Sequence, residues 1–128
     1  MIGINNVTII GNVGTISEIY TANNNNNKFV NLTVATTETF VTSEKEKKSN
    51  TQWHNVVLWN NMTQLHKMLA KGDLIYVEGR LNYRKKQEKE IFTEIVAKTI
   101  RVLSKKNHQL KEYKVDELED DFSIESEY

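Results

Sequence analysis

An all-β fold, five strands closed into a small barrel with one helix between the third and fourth, is what this sequence predicts. Three observations lead there. Five segments are rich in β-branched or aromatic residues with signs of a period-two alternation. Runs of Asn or of charged residues separate them. One stretch after the third segment carries apolar residues at helical spacing.

The first strand opens at Val7-Thr8-Ile9-Ile10. Gly11 and Gly14 then mark a bulge or a close backbone approach, after which Ile16 to Tyr20 resumes the strand. Asn23 to Asn27 offers nothing apolar to bury and forms a loop. Phe29 to Thr37 alternates, with Val30, Leu32 and Val34 on one face and Asn31, Thr33 and Ala35 on the other, and runs on to Phe40 and Val41. The polar stretch Ser43 to Asn50 is expected to be a mobile hairpin tip. The third strand is Gln52 to Asn60. A period of two places Trp53, Asn55, Val57 and Trp59 on one face and His54, Val56 and Leu58 on the other.

Asn61 is expected to cap a helix, with Gln64 reaching back to it and Met62, Leu65, Met68 and Leu69 as the apolar stripe. Gly72 is its left-handed stop. Leu74 to Val77 begins the fourth strand, which continues towards Tyr83. A charged turn from Arg84 to Glu90 leads into the fifth, Ile91 to Val102. This order is that of an OB-fold, a partly open five-stranded Greek-key barrel, although strand count alone also allows a small SH3-like or split barrel.

The chain of 128 residues is long enough for one domain with a modest core. It has no Cys, so neither a disulfide framework nor a thiolate metal site is available. No apolar run is long enough to span a membrane and no signal peptide opens the chain, so a soluble cytoplasmic protein with no membrane partner is expected. The formal net charge is zero, but the signs are segregated. Residues 116–128 hold seven of the 17 acids and no Lys or Arg, which leaves ten acids against 17 bases in 1–115, a net of +7. A basic body with an acidic tail points to a polyanion as partner. Both Trp residues lie on one strand face, with Glu44-Lys45-Glu46-Lys47-Lys48 upstream and Arg84-Lys85-Lys86 in a later turn. Flat rings bordered by cations form a surface for unstacked bases. The Lys45 to Lys48 run reads equally well as a solvated tip, because Glu44 and Glu46 interrupt it.

Other chemistries find little support. His54, His66 and His108 have no metal-ligand spacing, and Gly11 and Gly14 are not followed by the Gly-Lys-Ser/Thr of a phosphate loop. Tyr20 and Tyr76 read as structural.

Four segments carry a more specific signal. Asn6-Val7-Thr8-Ile9-Ile10-Gly11-Asn12-Val13-Gly14, Leu32-Thr33-Val34-Ala35-Thr36, Thr51-Gln52-Trp53-His54-Asn55-Val56-Val57-Leu58 and Lys71-Gly72-Asp73-Leu74-Ile75-Tyr76-Val77-Glu78-Gly79-Arg80-Leu81 resemble, in order, the signatures of bacterial-type single-stranded DNA-binding proteins. The resemblance implies an OB-fold domain over 1–104, a homotetramer, and sequence-nonspecific binding of single-stranded DNA in replication, recombination and repair. It implies no catalysis and no cofactor, and a cytoplasmic, nucleoid-associated location. On matching positions, Phe40, Trp53 and Trp59 fall where the family places aromatics against DNA. Lys71, Arg84 and Lys85 fall at basic positions facing phosphates, with Lys47, Lys48 and Lys86 as further candidates. His54 matches a residue at the contact between subunits.

Two departures stand out. A further stacking position of the family falls at about Lys86, so a cation replaces a ring, with Tyr83 or Phe92 as the candidates to compensate. The family's acidic tail ends in a Pro-Phe pair that docks on replication and repair enzymes, whereas this chain has no Pro and ends in Tyr128. Residues 105–128 are thus expected to be a short linker and a disordered acidic tail whose Asp120, Asp121, Phe122, Ile124 and Tyr128 contact partners. The alternative is a replication-restart, phage or plasmid accessory OB protein acting mainly as an interaction adaptor. A small nuclease is disfavoured by the lack of clustered metal-binding acids.

Overall fold

Val30, Leu32 and Val34, the inward row of the second predicted strand, are fully or almost fully buried, and the barrel closes around them. The computed structural model describes residues 2–22, 26–86, 90–106 and 124–125. Its elements are β1 (Val7–Ile16), β2 (Tyr20–Thr21), β3 (Lys28–Val41), β4 (Lys47–Trp59), a 3-10 helix (Asn60–Lys67), β5 (Leu74–Lys86), β6 (Glu90–Ser104) and β7 (Ile124–Glu125). Five of these strands form the barrel in the order β1-β5-β6-β4-β3, and β3 pairs back onto β1 to close it. The β4–β6 pairing is parallel, through Val56 with Ile95 and Val57 with Val96, whereas the other barrel pairings are antiparallel. The predicted OB-fold barrel is therefore present.

Closure depends on β1 serving two neighbours. Its first half pairs with β5 from Val7 to Asn12, and its second half pairs with β3 from Asn12 to Ile16, with a register shift after Val13. The bend brings backbones close at Gly11, where a Cβ would lie 2.3 Å from the Ala35 carbonyl oxygen. That is the close approach the two Gly residues predicted. The strand does not resume as far as Tyr20, however. It ends at Ile16, where the Ser17 N–H donates to the Asn31 carbonyl, and Tyr20 falls in the separate short β2.

Inside the barrel, Val56 and Leu58 of β4, Ile75 and Val77 of β5, and Ile95, Ala97, Ile100 and Val102 of β6 complete the core, which Met62, Leu65 and Leu69 plug at one end. The helix differs from expectation. It is 3-10 and starts at Asn60, with no side-chain cap at its N-terminus. Asn60 adopts φ 53°, a left-handed conformation that Asn tolerates, and its Oδ1 accepts from the Lys28 N–H instead. The helix thus begins one residue before the Asn61 expected to cap it, and Met68 lies past the helix end and is exposed. Gly72 does take a left-handed conformation, φ 94°, but in the loop before β5, where its N–H donates to the Val13 carbonyl. Buried Asp73 fixes that loop by accepting from Lys105 Nζ at 2.6 Å and from the Ala70 N–H.

Both hairpins are longer than their sequences suggest. β4 begins at Lys47, so the polar residues Lys47 to Asn50 belong to a paired ribbon and the tip shrinks to 42–46. Likewise β5 runs on to Lys86 and β6 starts at Glu90. Backbone pairing continues there because both faces of a projecting ribbon are solvated, and polar side chains cost it nothing.

Candidate nucleic-acid interface

The outer surface of β3, β4, β6 and β5 carries Trp53, Trp59 and Arg84, while Phe40, Tyr83 and Lys71 lie elsewhere. On β4 the predicted parity holds: Val56 and Leu58 join the barrel core, and Trp53, Asn55, Val57 and Trp59 lie on the other face, where Val57 is nevertheless buried. Residues directly opposite each other in an antiparallel pair share a face. Trp53 therefore sits beside Ala35, Asn55 beside Thr33, Val57 beside Asn31 and Trp59 beside Phe29.

Trp53 is 62% exposed, although large apolar rings normally find cover. Its ring edge rests over Gly14, where a Cβ would meet the ring at 2.4 Å. The second Gly of β1 thus leaves room for the ring to lie against the barrel. Trp59 is half-buried and belongs to a ladder of three rings. Its centroid lies 5.3 Å from that of Phe29, which lies 5.6 Å from Tyr20, and both pairs are tilted. Phe29 was not among the sequence candidates and Tyr20 read as structural. Only the β3–β4 and β2–β3 registers place them beside Trp59.

Phe40 is half exposed but pairs with Lys48, in the row that continues Val34 and Thr36. It therefore occupies the opposite face of the β3–β4 ribbon from Trp53. Lys47 and Lys48 border it, and with Thr39, Val41 and Ser49 they line an open hollow of about 370 Å³. Tyr83 is also exposed, on the face of the β5–β6 hairpin that pairs it with Thr93, opposite to Phe92 and Arg84.

Arg84 is only partly available to a phosphate. Its Nε donates to Glu94 Oε1 at 3.0 Å, and its guanidinium lies 5.5 Å from the Phe92 ring centroid. Glu94 is buried; Asn82 Nδ2 also donates to Oε1, and Oε2 has no hydrogen-bond partner among the described residues. An acid in this face was not foreseen, because nothing in a strand of alternating residues marks one carboxylate as buried. Lys85 is exposed and neighbours Phe92. Lys86 ends β5 opposite Glu90. Lys71 is exposed in the loop before β5, separated from Arg84 by about 30 Å of strand.

His54 faces the other way from Trp53, as predicted, and its Nε2 is 2.8 Å from Thr36 Oγ1. It lines a groove of about 490 Å³ with Val7, Leu81 and Ile91. Of the tail candidates, Ile124 lies in β7, whose backbone pairs with β6 at Thr99 and Ile100, while Asp120, Asp121, Phe122 and Tyr128 lie outside the described residues. Among the described residues, no three His, Cys, Asp or Glu side chains converge as a metal site would require, and no helix is long and apolar enough to cross a membrane.

Comparison with known proteins bears on this surface. Residues 4–103 match the model of the single-strand binding protein family. The single-stranded DNA-binding protein of Rickettsia felis is 40% identical over 87 residues, which are 64% of this chain and 55% of that protein. Single-stranded DNA-binding protein 1 of Chlorobaculum tepidum is 33% identical over 111 residues, 82% of this chain and 68% of that one. The chain thus spans little more than half the length of the Rickettsia relatives. Among solved structures, the Plasmodium falciparum SSB in complex with ssDNA superposes with a TM-score of 0.63 at 29% identity, covering 75% of this chain and 88% of that one. A deletion mutant of the single-stranded DNA-binding protein from Thermus aquaticus gives a TM-score of 0.68 at 26% identity, covering 83% of this chain and 53% of that one.

Proposed function

Given that the chain belongs to the single-strand binding protein family, we propose that it binds single-stranded DNA without sequence preference and protects it during replication, recombination and repair. One observation carries the reading: Trp53, 62% exposed, is seated against Gly14 on the outer face that Trp59 and Phe29 share. A ring held this way presents a π-face to any base, and duplex DNA, whose bases are stacked, cannot use it.

The residues act in two ways. Trp53, Phe40, Trp59 and Tyr83 stack with bases, and the Tyr20–Phe29–Trp59 ladder extends the path around the barrel. Lys47, Lys48, Lys71, Lys85, Lys86 and the outward part of Arg84 neutralise phosphates, releasing counterions with a slope of about −0.7 in log K per phosphate on a single strand. Since Phe40 and Trp53 occupy opposite faces of one ribbon, a strand that reaches both wraps over the ribbon rather than crossing a flat surface.

The DNA-binding domain is residues 1–104, and the working unit is a homotetramer. Ile2 and Ile4 are 98% and 95% exposed ahead of β1, and Ile10 on β1 is half exposed. Apolar surface of this kind is suited to burial against further copies of the chain. His54 lies at a subunit contact, and the acidic segment 105–128 recruits replication or repair proteins in the cytoplasm, at the nucleoid.

A tryptophan-fluorescence titration with poly-dT at several salt concentrations, with duplex DNA of equal length as control, tests the reading. Strong quenching at many nucleotides per protomer with poly-dT and none with duplex is expected. No quenching and no binding would reject it and leave the adaptor role as the better account.

A further inference from the structure

The edge of β6 that faces away from β5 changes its occupant part-way along. β4 covers it only at Ile95 and Val96, opposite Val56 and Val57, and then turns off through the left-handed Asn60 into the helix. Further on, at Thr99 and Ile100, the strand on this edge among the described residues is β7, antiparallel, with Glu125 opposite Thr99 and Ile124 opposite Ile100. We propose that this open stretch of β6 is a docking site for an extended peptide, and that its occupant is the chain's own acidic C-terminal segment, held in cis by strand addition through Ile124 and Glu125.

An uncovered strand edge presents a row of backbone N–H and C=O groups that either stay in water or pair with another strand. In this stretch Ile100 and Val102 belong to the buried core, which fixes β6 in place, so an added strand pairs with the edge without disturbing the barrel. The segment also reaches. Lys105 Nζ donates to the Met68 carbonyl at 2.7 Å and to Asp73, and the Lys106 N–H donates to Asp73 Oδ1 at 3.2 Å, so the root of the segment is pinned to the barrel. Seventeen residues, 107–123, separate that root from Ile124. They can span at most about 60 Å, whereas Ile100 lies only about 20 Å back along β6 from Lys106. Charge favours the same occupant. Lys98 and Arg101, both exposed, flank the paired residues of β6, and 116–128 carries seven acids and no Lys or Arg. Docking withholds Ile124 from other proteins, so a partner must peel the strand from β6 before taking it. This consequence rests on the recruiting role proposed for 105–128, whereas the docking itself does not.

The chain contains no Cys, so Thr99→Cys combined with Glu125→Cys tests the register directly. Opposite residues of an antiparallel pair have Cα atoms about 4.5–5.5 Å apart, within the range of a disulfide. In the full chain, without DNA or partner, mild oxidation should close a disulfide within one chain, seen on a non-reducing denaturing gel. It should form equally at about 1 M salt, where the Debye length is about 3 Å and attraction between exposed charges is lost. Lys47→Cys combined with Glu125→Cys, on the other hairpin, should stay reduced. Independently, Ile124→Pro with Glu125→Pro removes both N–H groups of β7 and should speed amide exchange about two- to tenfold at whichever of Thr99 and Ile100 faces it, with Val56 unchanged. A disulfide between two chains would seat a neighbouring copy's segment on the edge and overturn docking in cis. No disulfide, its loss at high salt, or unchanged exchange in the Pro variant would reject the site and leave the recruiting role standing. A disulfide within the chain, together with binding of replication and repair proteins that survives deletion of 116–128, would keep the site and reject the recruiting role.

Discussion

A single ring and the atom beneath it set the sharpest expectations. Trp53→Ala should weaken binding of single-stranded DNA by about 1–3 kcal/mol, and circular dichroism should show the fold intact, because the ring is largely solvent-exposed. Equal affinity in the folded variant would remove Trp53 from the interface. Gly14→Ala tests the support from below: its Cβ would lie 2.4 Å from the Trp53 ring and 2.6 Å from Thr33 Oγ1, so the ring must shift, and the tryptophan emission and the affinity should change together. Arg84→Ala should cost stability as well as binding. It leaves the buried Glu94 carboxylate without its cation, a loss of about 1–3 kcal/mol that the half-exposed position of Arg84 keeps from being larger. Adding Glu94→Gln should recover much of that stability, since the charge is then gone; a melting temperature unmoved by Arg84→Ala would contradict the ion-pair account. At Tyr76, the hydroxyl donates to Glu78 at 3.0 Å, and that bond, with burial and the carboxylate charge, holds the phenol above its usual 10.0. A raised native value means that the folded chain keeps its proton longer than the unfolded chain. This contribution is complete below about pH 10 and is lost as the pH rises above it. Tyr76→Phe should flatten the fall in stability with pH in that range, measured by urea denaturation.

Each hairpin ends in a ring paired across the strands with a cation, Phe40 with Lys48 on β3–β4 and Phe92 with Arg84 on β5–β6. Phe40 stays half exposed on its open ribbon, whereas Phe92 is partly covered, with the Arg84 guanidinium 5.5 Å from its ring centroid. The two tips differ in stiffness. Arg84 is fixed by Glu94, whereas Lys48 is exposed on an open ribbon. Lys47→Ala and Lys48→Ala should therefore lower affinity uniformly across base composition and reduce the salt slope by about 0.7 each. A salt slope unchanged in the double variant would show that this element is a solvated tip and no part of the path.

For the molecule as a whole, charge is distributed along the chain and not merely balanced. With a net of +7 over 1–115 and seven acids after it, the tail carries charge able to offset the cations that the proposed reading assigns to DNA. Deletion of 116–128 should preserve or tighten binding, most at low salt where the Debye length is longest; loss of binding on truncation would show instead that the tail contributes to the DNA site. Sedimentation of the full chain should give a tetramer, and an Ile2, Ile4 and Ile10 to Ser variant a smaller species. A monomeric parent would leave those exposed side chains unexplained by assembly.

Much of this was legible in the residues. The alternation of Val30, Leu32 and Val34, the parity that turns Trp53 and Trp59 away from Val56 and Leu58, and the close approach at Gly11 are local consequences of a period of two and a missing Cβ, so the sequence by itself determined them. It also determined the segregation of charge. What tertiary structure alone decided was register. The pairing of Phe29 with Trp59 builds the ring ladder, and the pairing of Phe40 with Lys48 puts Phe40 on the far face from Trp53. The β5–β6 pairing sets Arg84 on Phe92 and brings Glu94 within reach, so that the half-exposed Arg84 is also paired with a buried carboxylate. The helix start differed for a related reason: the helix begins at Asn60, whose Oδ1 accepts from the Lys28 N–H far away in the chain. Periodicity fixes which way a side chain points along its own strand, but its neighbour across the gap depends on how the strands slide against one another, and that is settled only when the barrel closes.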